Sequence, residues 1–317
     1  MESTINGVTV LCPSTHWSTY QYFMQWFCES CKDIGLNIKK APYLPRFFLI
    51  AIAKSRISFR LPSVLCSKIK LIVPCAGYPD SFAFPFGYCH EIIPVLWDTW
   101  PKYHGRIIKS FLRHKVKLAF FTQRQVAMLI GKRLPHVKCI WLPEGINPSG
   151  YKKGKLLRER TIDLLELGRL MGRFHSVVGS LGYNHKYKDP SEGLLFNTFN
   201  DLCNGLADAK ITVCFPRCDT HPNEAGEIET LTQRYWECML SRTVIIGHCP
   251  KELSDLLGYN PVIEVNWEDP CGQLNQIIAD IEKFQPLVDR NYNAAVANAS
   301  WECRMPIVRS AIRNHLS

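Results

Sequence analysis

The chain has 317 residues, 46% of them hydrophobic and 21% charged, an ordinary globular composition that excludes disordered, fibrous and repeat-built classes. This length exceeds what one hydrophobic core usually absorbs, so two domains of about 150 residues each are expected. Thirty-eight Lys and Arg against 28 acidic residues give a formal charge of +10, which favours anionic partners such as phosphorylated ligands, nucleic acid or acidic lipid surfaces without choosing among them.

The opening "MESTINGVTVLCPS" has no basic stretch followed by a long apolar one, so no secretory signal is read. No uninterrupted apolar run reaches the length of about 18 residues needed to span a bilayer. A cytoplasmic, soluble or peripheral protein is expected, its fourteen cysteines held as thiols. Cys28 and Cys31 form one CxxC with no second pair at zinc spacing. That pair is either a metal or redox motif or two small, partly buried residues on the helix of a first βα unit.

In chain order, "VTVLCPS" is a short β-branched run ending in Pro13 and Ser14, and "TYQYFMQWFCESCKDIG" carries apolar residues at helical spacing up to Gly35. Apolar runs with β character recur at "IKLIVP", "EIIPVLW", "VKLAFFT" and "VKCIWLP", with helical segments such as "GRIIKSFLRHK" and "QRQVAMLIGKRL" between several of them. Such alternation argues for a parallel sheet covered on both faces. "LPEGINPSGYKKGKLLRER" reads as a linker. A second series follows with strands at "TIDLLELGR", "ITVCFPR", "RTVIIGH" and "PVIEVN". The C-terminal "NYNAAVANASWECRMPIVRSAIRN" is helical in pattern, with Pro306 expected to break or kink it. The fold class is therefore α/β, two tandem Rossmann-like doubly wound domains facing a cleft.

In such sheets ligands sit at the carboxyl ends of the strands. The exit of "TIDLLELGR" offers Arg169, Arg173 and His175, potential cations at a helix start that could hold a diphosphate by charge and by the helix dipole. A solvated basic turn fits the same residues. The exit of "ITVCFPR" is "CDTHPNEAGEIE", rich in groups that bond hydroxyls, as sugar-binding loops and ordinary loops both are.

The segment "EIETLTQRYWECMLSRTVIIG" carries Glu229 and Glu237 with Arg234 between them. On a helix Thr230, Arg234 and Glu237 share one face and Leu231, Tyr235, Cys238 and Met239 another, so one face packs and the other is free to bind. Glu229 falls just before the helix or in its first turn, where the dipole tolerates a carboxylate. A surface helix with an Arg234–Glu237 pair worth a few tenths of a kcal/mol is the plainer account.

The Glu229 to Glu237 spacing, with Ile245 and Ile246 opening the next strand, resembles the E-x7-E element of GT-B glycosyltransferases. "LPEGINPSGY" before "RERTIDLLELGR" is similar to the interdomain passage of those enzymes, and "NYNAAVANASWECRMPIV" to the last helix, which crosses back onto the first domain. The resemblance covers most of the second half of the chain, and the first half matches in architecture only. It implies an acceptor domain at 1–156, a donor domain at 157–290 and a returning helix at 291–317.

By that resemblance Glu237 bonds the ribose hydroxyls of a nucleotide, accepting from two vicinal groups. Glu229 faces the donor sugar, or stabilises positive charge at its anomeric carbon. Arg169 and Arg234 neutralise the diphosphate leaving group, and Arg173, His175 and Thr232 complete the donor-binding set. It also implies a retaining transfer with no metal at the site and no cofactor beyond a nucleotide-diphosphate-sugar donor. The sequence departs from the family in "TLTQRYW", where glycines usually lie between the two glutamates, and in Arg242, Thr243 and Val244, which replace a usual Gly-x-Pro. These mark a divergent branch. An inverting enzyme would need a general base on the first domain, for which Asp98 in "LWDTWPKYH" is the first choice, with His16 and His104 behind it. Asp98 read plainly is a helix N-cap or a structural hydrogen bond.

"YLPRFFLIAIAKSRISFRLPSVLCSKIK", residues 43–70, mixes large apolar residues with six Lys and Arg and no acid. It reads either as a basic amphipathic surface for an anionic bilayer or as a buried helix and strand with basic ends. The expected acceptor is a glycan or a lipid-linked molecule, of a bacterial type. Competing readings are a nucleotide-sugar epimerase of the same shape and a non-catalytic basic binder of nucleic acid or another anionic polymer. No nucleic-acid motif stands out, so no nucleic-acid partner is expected.

Overall fold

The computed structural model describes residues 5–12, 22–41, 67–77, 86–188 and 195–317. His16 and residues 43–66 of the basic segment lie outside the described residues. The chain divides into two compact units, residues 1–145 with 301–317 and residues 146–300. The divisions fall at Gly145 and Ser300, where the sequence reading has 156 and 290.

The first unit holds β1 (Val8–Cys12), β2 (Asn37–Lys40), β3 (Lys70–Ala76), β4 (Glu91–Trp97), β5 (Leu118–Phe121) and β6 (Lys138–Trp141). They form one sheet in the order β2-β1-β3-β4-β5-β6, and every pair is parallel. Parallel strands are covered on both faces, which is why the central ones read as continuous apolar runs. Leu71 to Val73, Ile92, Ile93, Val95 to Trp97 and the whole of β5 are buried. The helix Pro101–His114 starts with Pro101 in its first turn, where no N–H is missed, and stops at Lys115 in the left-handed region, φ 51°.

The return segment completes this unit. Trp301 is buried, its ring centroid 5.3 Å from that of Phe27 and 5.8 Å from that of Trp97, and Met305, Val308 and Ile312 join the same core. A β-carbon at Gly145 would lie 3.1 Å from the Cα of Trp301, so a larger residue there would push the two segments apart by a few tenths of an ångström. The break expected at Pro306 lies before it: the helix Gln285–Asn298 ends, a 3-10 turn spans Trp301–Arg304, and Pro306 sits in the first turn of the helix Met305–Leu316. Proline is tolerated there because the first turn's N–H groups have no helical partner.

The second unit holds β7 (Ile162–Glu166), β8 (His185–Tyr187), β9 (Ala209–Cys214), β10 (Val244–Gly247) and β11 (Ile263–Glu264), again all parallel, in the order β11-β10-β9-β7-β8. Numbered within the unit this is 2-1-3-4-5, the doubly wound order whose switch point falls between the first and third strands, here β7 and β9. The first unit shares that order up to its added sixth strand. The helices of the second unit cover a core of Leu164, Ile211, Val244, Ile246, Leu274 and Val288, among others. Among the described residues no helix is long and apolar enough to cross a membrane. Both sheets are thus Rossmann-like and doubly wound.

Trp301→Ala removes a fully buried aromatic from the first unit's core and is expected to cost about 3–5 kcal/mol. Urea unfolding measures it, and a loss below about 1 kcal/mol would show that residues 301–317 are not part of that core.

Candidate functional site

The strands β10, β9 and β7 are neighbours, and their carboxyl ends open onto one edge of the second sheet. From β7 the chain passes through Gly168, φ 80°, to Arg169, which is exposed. Its two expected companions each have a partner of their own. Arg173 lays its guanidinium 4.4 Å from the centroid of the Trp267 ring. His175 places Nδ1 2.7 Å from Oε1 of Glu166. Residues two apart on a helix point about 200° apart, so the helix Gly172–Val178 sends the two side chains to different neighbours.

The helix expected after Glu229 runs from Gln233 to Leu240. Leu231, Tyr235, Cys238 and Met239 are buried as the pattern predicts. The opposite face differs from expectation. Thr230 lies before the helix and is buried, and Thr232 is the N-cap residue without a side-chain capping bond. Glu237 is itself buried: Oε1 accepts a hydrogen bond from the Tyr151 hydroxyl at 2.9 Å, and Oε2 pairs with Nη1 of Arg234 at 2.6 Å. The face expected to be free is therefore occupied by an internal triad, because a carboxylate packed this deeply requires partners. Arg234 keeps 27% of its side-chain surface against 9% for Glu237, so the cation is the accessible end of the pair. Burial and then the Glu237 charge push the Tyr151 phenol above its ordinary value, which keeps it protonated and donating. Burial opposes the charge on Arg234, but Glu237 and nearby thiols outweigh it and the guanidinium stays protonated.

Glu229 stands just ahead of the helix and is anchored from the next one. Its Oε2 accepts from the backbone N–H of Lys251 at 2.6 Å, the first residue of the helix Lys251–Leu257, while the N–H of Leu231 donates to Oε1 of the buried Glu252. Two carboxylates thus clasp the loop to that helix. Oε1 of Glu229 lies 4.0 Å from Nε2 of His248, whose Nδ1 bonds Oδ2 of Asp219 at 2.6 Å. The Asp219 hydrogen bond, opposed by burial and aided by the charges of Asp219, Glu264 and Glu229, raises the His248 pKa above its ordinary value. Sequence reasoning missed this Asp219–His248–Glu229 set. Its signal was present, since His248 directly follows β10 and Asp219 lies on the short helix Arg217–Thr220 after β9, but nothing in the spacing pairs two residues 29 positions apart. Gly247 makes the junction: at φ 151° a β-carbon there would fall 1.8 Å from the carbonyl oxygen of Cys214. The N–H of His248 donates to that same oxygen at 3.0 Å.

On the first unit, Asp98 does stand at a strand exit, exposed and at φ 52°, a backbone region that bulky residues seldom adopt. It is not the helix N-cap, which is Trp100. His104 is buried, Nε2 3.0 Å from the carbonyl oxygen of Thr99, and burial lowers its pKa, so it packs rather than faces a ligand. Cys28 and Cys31 are buried in the first core with pKa values raised, Cys28 through a hydrogen bond with Cys12 and by burial, and Cys31 by burial. They are core thiols.

No family model matches the chain, and no curated protein matches it in sequence. Solved structures do match. Sucrose-phosphate synthase from Thermosynechococcus elongatus superposes with a TM-score of 0.59 at 12% identity over 98% of each chain. Anabaena HepE in complex with UDP-glucose gives 0.59 at 8% identity over 97% of this chain and 98% of its own. TarM gives 0.54 at 13% identity over 78% of this chain, which spans 55% of the length of TarM. The likeness is one of fold: the chain has the GT-B fold, with two Rossmann-like domains.

Gly247→Ala should cost about 1–3 kcal/mol or more through overpacking against Cys214, read as a lowered thermal midpoint. The pKa of His248 is raised on folding, so its bond to Asp219 contributes stability fully below the ordinary histidine value of about 6.5 and loses that contribution as pH rises through the folded value. Asp219→Asn should therefore destabilise most near about pH 5.5 and least above about pH 8. An equal loss at both ends in urea unfolding would dissociate the pair from His248 protonation.

Proposed function

We propose that the protein is a glycosyltransferase that takes a sugar from a nucleotide-diphosphate donor and passes it to a glycan or a lipid-linked acceptor. The observation that carries the reading is the carboxyl edge of the second sheet. At the switch point of a doubly wound sheet stands an exposed cation, Arg169. The β9–β10 crossover carries Arg234 at the amino end of its helix, with Glu229 before it and Glu237 one turn on. Fold likeness over nearly the full length of HepE, whose solved form holds UDP-glucose, supports the same reading.

In this reading Arg169 and Arg234 take the diphosphate, where fixed cations stabilise the charge that develops as the glycosidic bond to phosphate breaks. Glu237 holds Arg234 in place and offers the ribose hydroxyls the carboxylate oxygen that the Tyr151 hydroxyl now occupies. Glu229, fixed by the Lys251 N–H, faces the sugar beside His248. The transfer is retaining and draws on no metal at the diphosphate. Residues 43–70 are the segment whose composition suits an anionic bilayer bearing a lipid-linked acceptor.

Calorimetric titration of UDP, ADP, GDP and their sugar conjugates into the wild type, Arg169→Ala and Glu229→Ala tests the proposal. One nucleotide should bind, and Arg169→Ala should weaken it about 10- to 100-fold, the worth of a charge-assisted hydrogen bond. Glu229→Ala should act on the sugar conjugate more than on the bare diphosphate. The reading fails if no nucleotide binds, or if Arg169→Ala binds as wild type does.

A further inference from the structure

We infer that Glu166, His175 and His185 bind one divalent transition-metal ion of the zinc class, which clamps the β7–β8 edge of the second domain. The inference does not depend on the donor reading. Three separate segments supply the donors: the last residue of β7, the helix Gly172–Val178 and the first residue of β8. Nδ1 of His175 and Nε2 of His185 lie 2.7 and 2.9 Å from one atom, Oε1 of Glu166, and the three donor atoms lie within 4.8 Å of one another.

The pattern of partners favours an ion over a pair of hydrogen bonds. Glu166 is 2% exposed at the end of a buried parallel strand, and among the described residues no Lys or Arg pairs with it. Its other oxygen, Oε2, is buried with no hydrogen-bond partner among them. A carboxylate serving only as an acceptor has two oxygens over which to spread two donors. Here both imidazole nitrogens crowd the same oxygen, so three potential ligand atoms gather in one small space. Two imidazole nitrogens and a carboxylate oxygen are a usual zinc donor set, with metal–ligand bonds of about 2.0–2.2 Å and a fourth position left for water or another small ligand. Tetrahedral bonds of that length separate donor atoms by about 3.3 Å, so each nitrogen retreats from Oε1 by about half an ångström and the two nitrogens, within 4.8 Å of one another, settle to the same spacing.

The surroundings give the ion a structural task. The β8 strand has three residues, Lys186 and Tyr187 of which are exposed, and the helix before it has seven. Elements this short are marginal alone. The ligands tie both to β7, under the ring of Tyr187, whose centroid lies 4.6 and 4.9 Å from those of His175 and His185.

The test uses the full chain, stripped with a chelator under reducing conditions and titrated with Co2+ in the visible range. The expected result is one equivalent bound per chain with ligand-field bands and no thiolate-to-cobalt charge-transfer band, because no cysteine is a ligand. Glu166→Gln and His175→Ala should weaken uptake by more than about 100-fold, beyond what loss of a supporting residue costs. Zn2+ should raise the thermal midpoint of wild type and leave that of His175→Ala unchanged. His175 is partly exposed, so this variant keeps its fold, checked by circular dichroism, even if Glu166→Gln does not. Failure of wild type to take up the metal, a thiolate band, or unaltered uptake by His175→Ala would each overturn the inference.

Discussion

Parallel pairing of every described strand is the constraint on which the rest of this structure depends. A parallel neighbour is reached only by a crossover, so successive strands begin at one edge of a sheet and end at the other. That places the ends of β7, β9 and β10 side by side and gathers Arg169, Asp219 and His248 along one edge although the sequence scatters them. The same pairing buries both faces of the central strands. A polar residue near the end of such a strand must then find its partner locally, which is the position of Glu166.

The central strands were legible because burial on both faces leaves an uninterrupted apolar run, as in "EIIPVLW" and "LAFF". Two strands were not. "NIKK" and "HKY" lie at sheet edges, are largely exposed, and carry no apolar pattern to read. The packed face of the Gln233–Leu240 helix followed from its periodicity. The state of the other face did not, since Tyr151 and Glu237 are separated by 86 positions and no local rule joins them. His175 was read as a phosphate ligand because its neighbours in sequence are basic, whereas its neighbour in space is a carboxylate.

The departures from the family pattern have a physical account at one position. Where glycine is usual, Arg242 adopts φ 55°, a left-handed conformation that disfavours side chains with a β-carbon. The guanidinium offsets this by donating Nη1 to the carbonyl oxygen of Gly154 at 3.2 Å and by pairing with Asp289. Arg160 works nearby in the same way, bonding the carbonyl oxygens of Lys155 and Ala209. The basic stretch that reads as a loose linker belongs to the second unit, where buried arginines stitch residues 154–160 to its other segments, so some of the net positive charge has an internal use.

The second unit is inserted into the first. Ile146 and Ser300 form a parallel bridge, and the N–H of Ile146 donates to the carbonyl oxygen of Ala299 at 2.8 Å, so the insertion enters and leaves at one place. Once folded it closes the gap in the first unit as a short turn would, sparing the loop entropy of a long flexible excursion. The two units differ in when they can be finished. During synthesis the second has all of its residues when Ser300 emerges, while the first lacks Trp301, Met305, Val308 and Ile312 until the return segment follows. Translation therefore leaves the domain that begins first with an open core for longest, and an interruption before residue 301 would release a finished second domain attached to an unfinished first one.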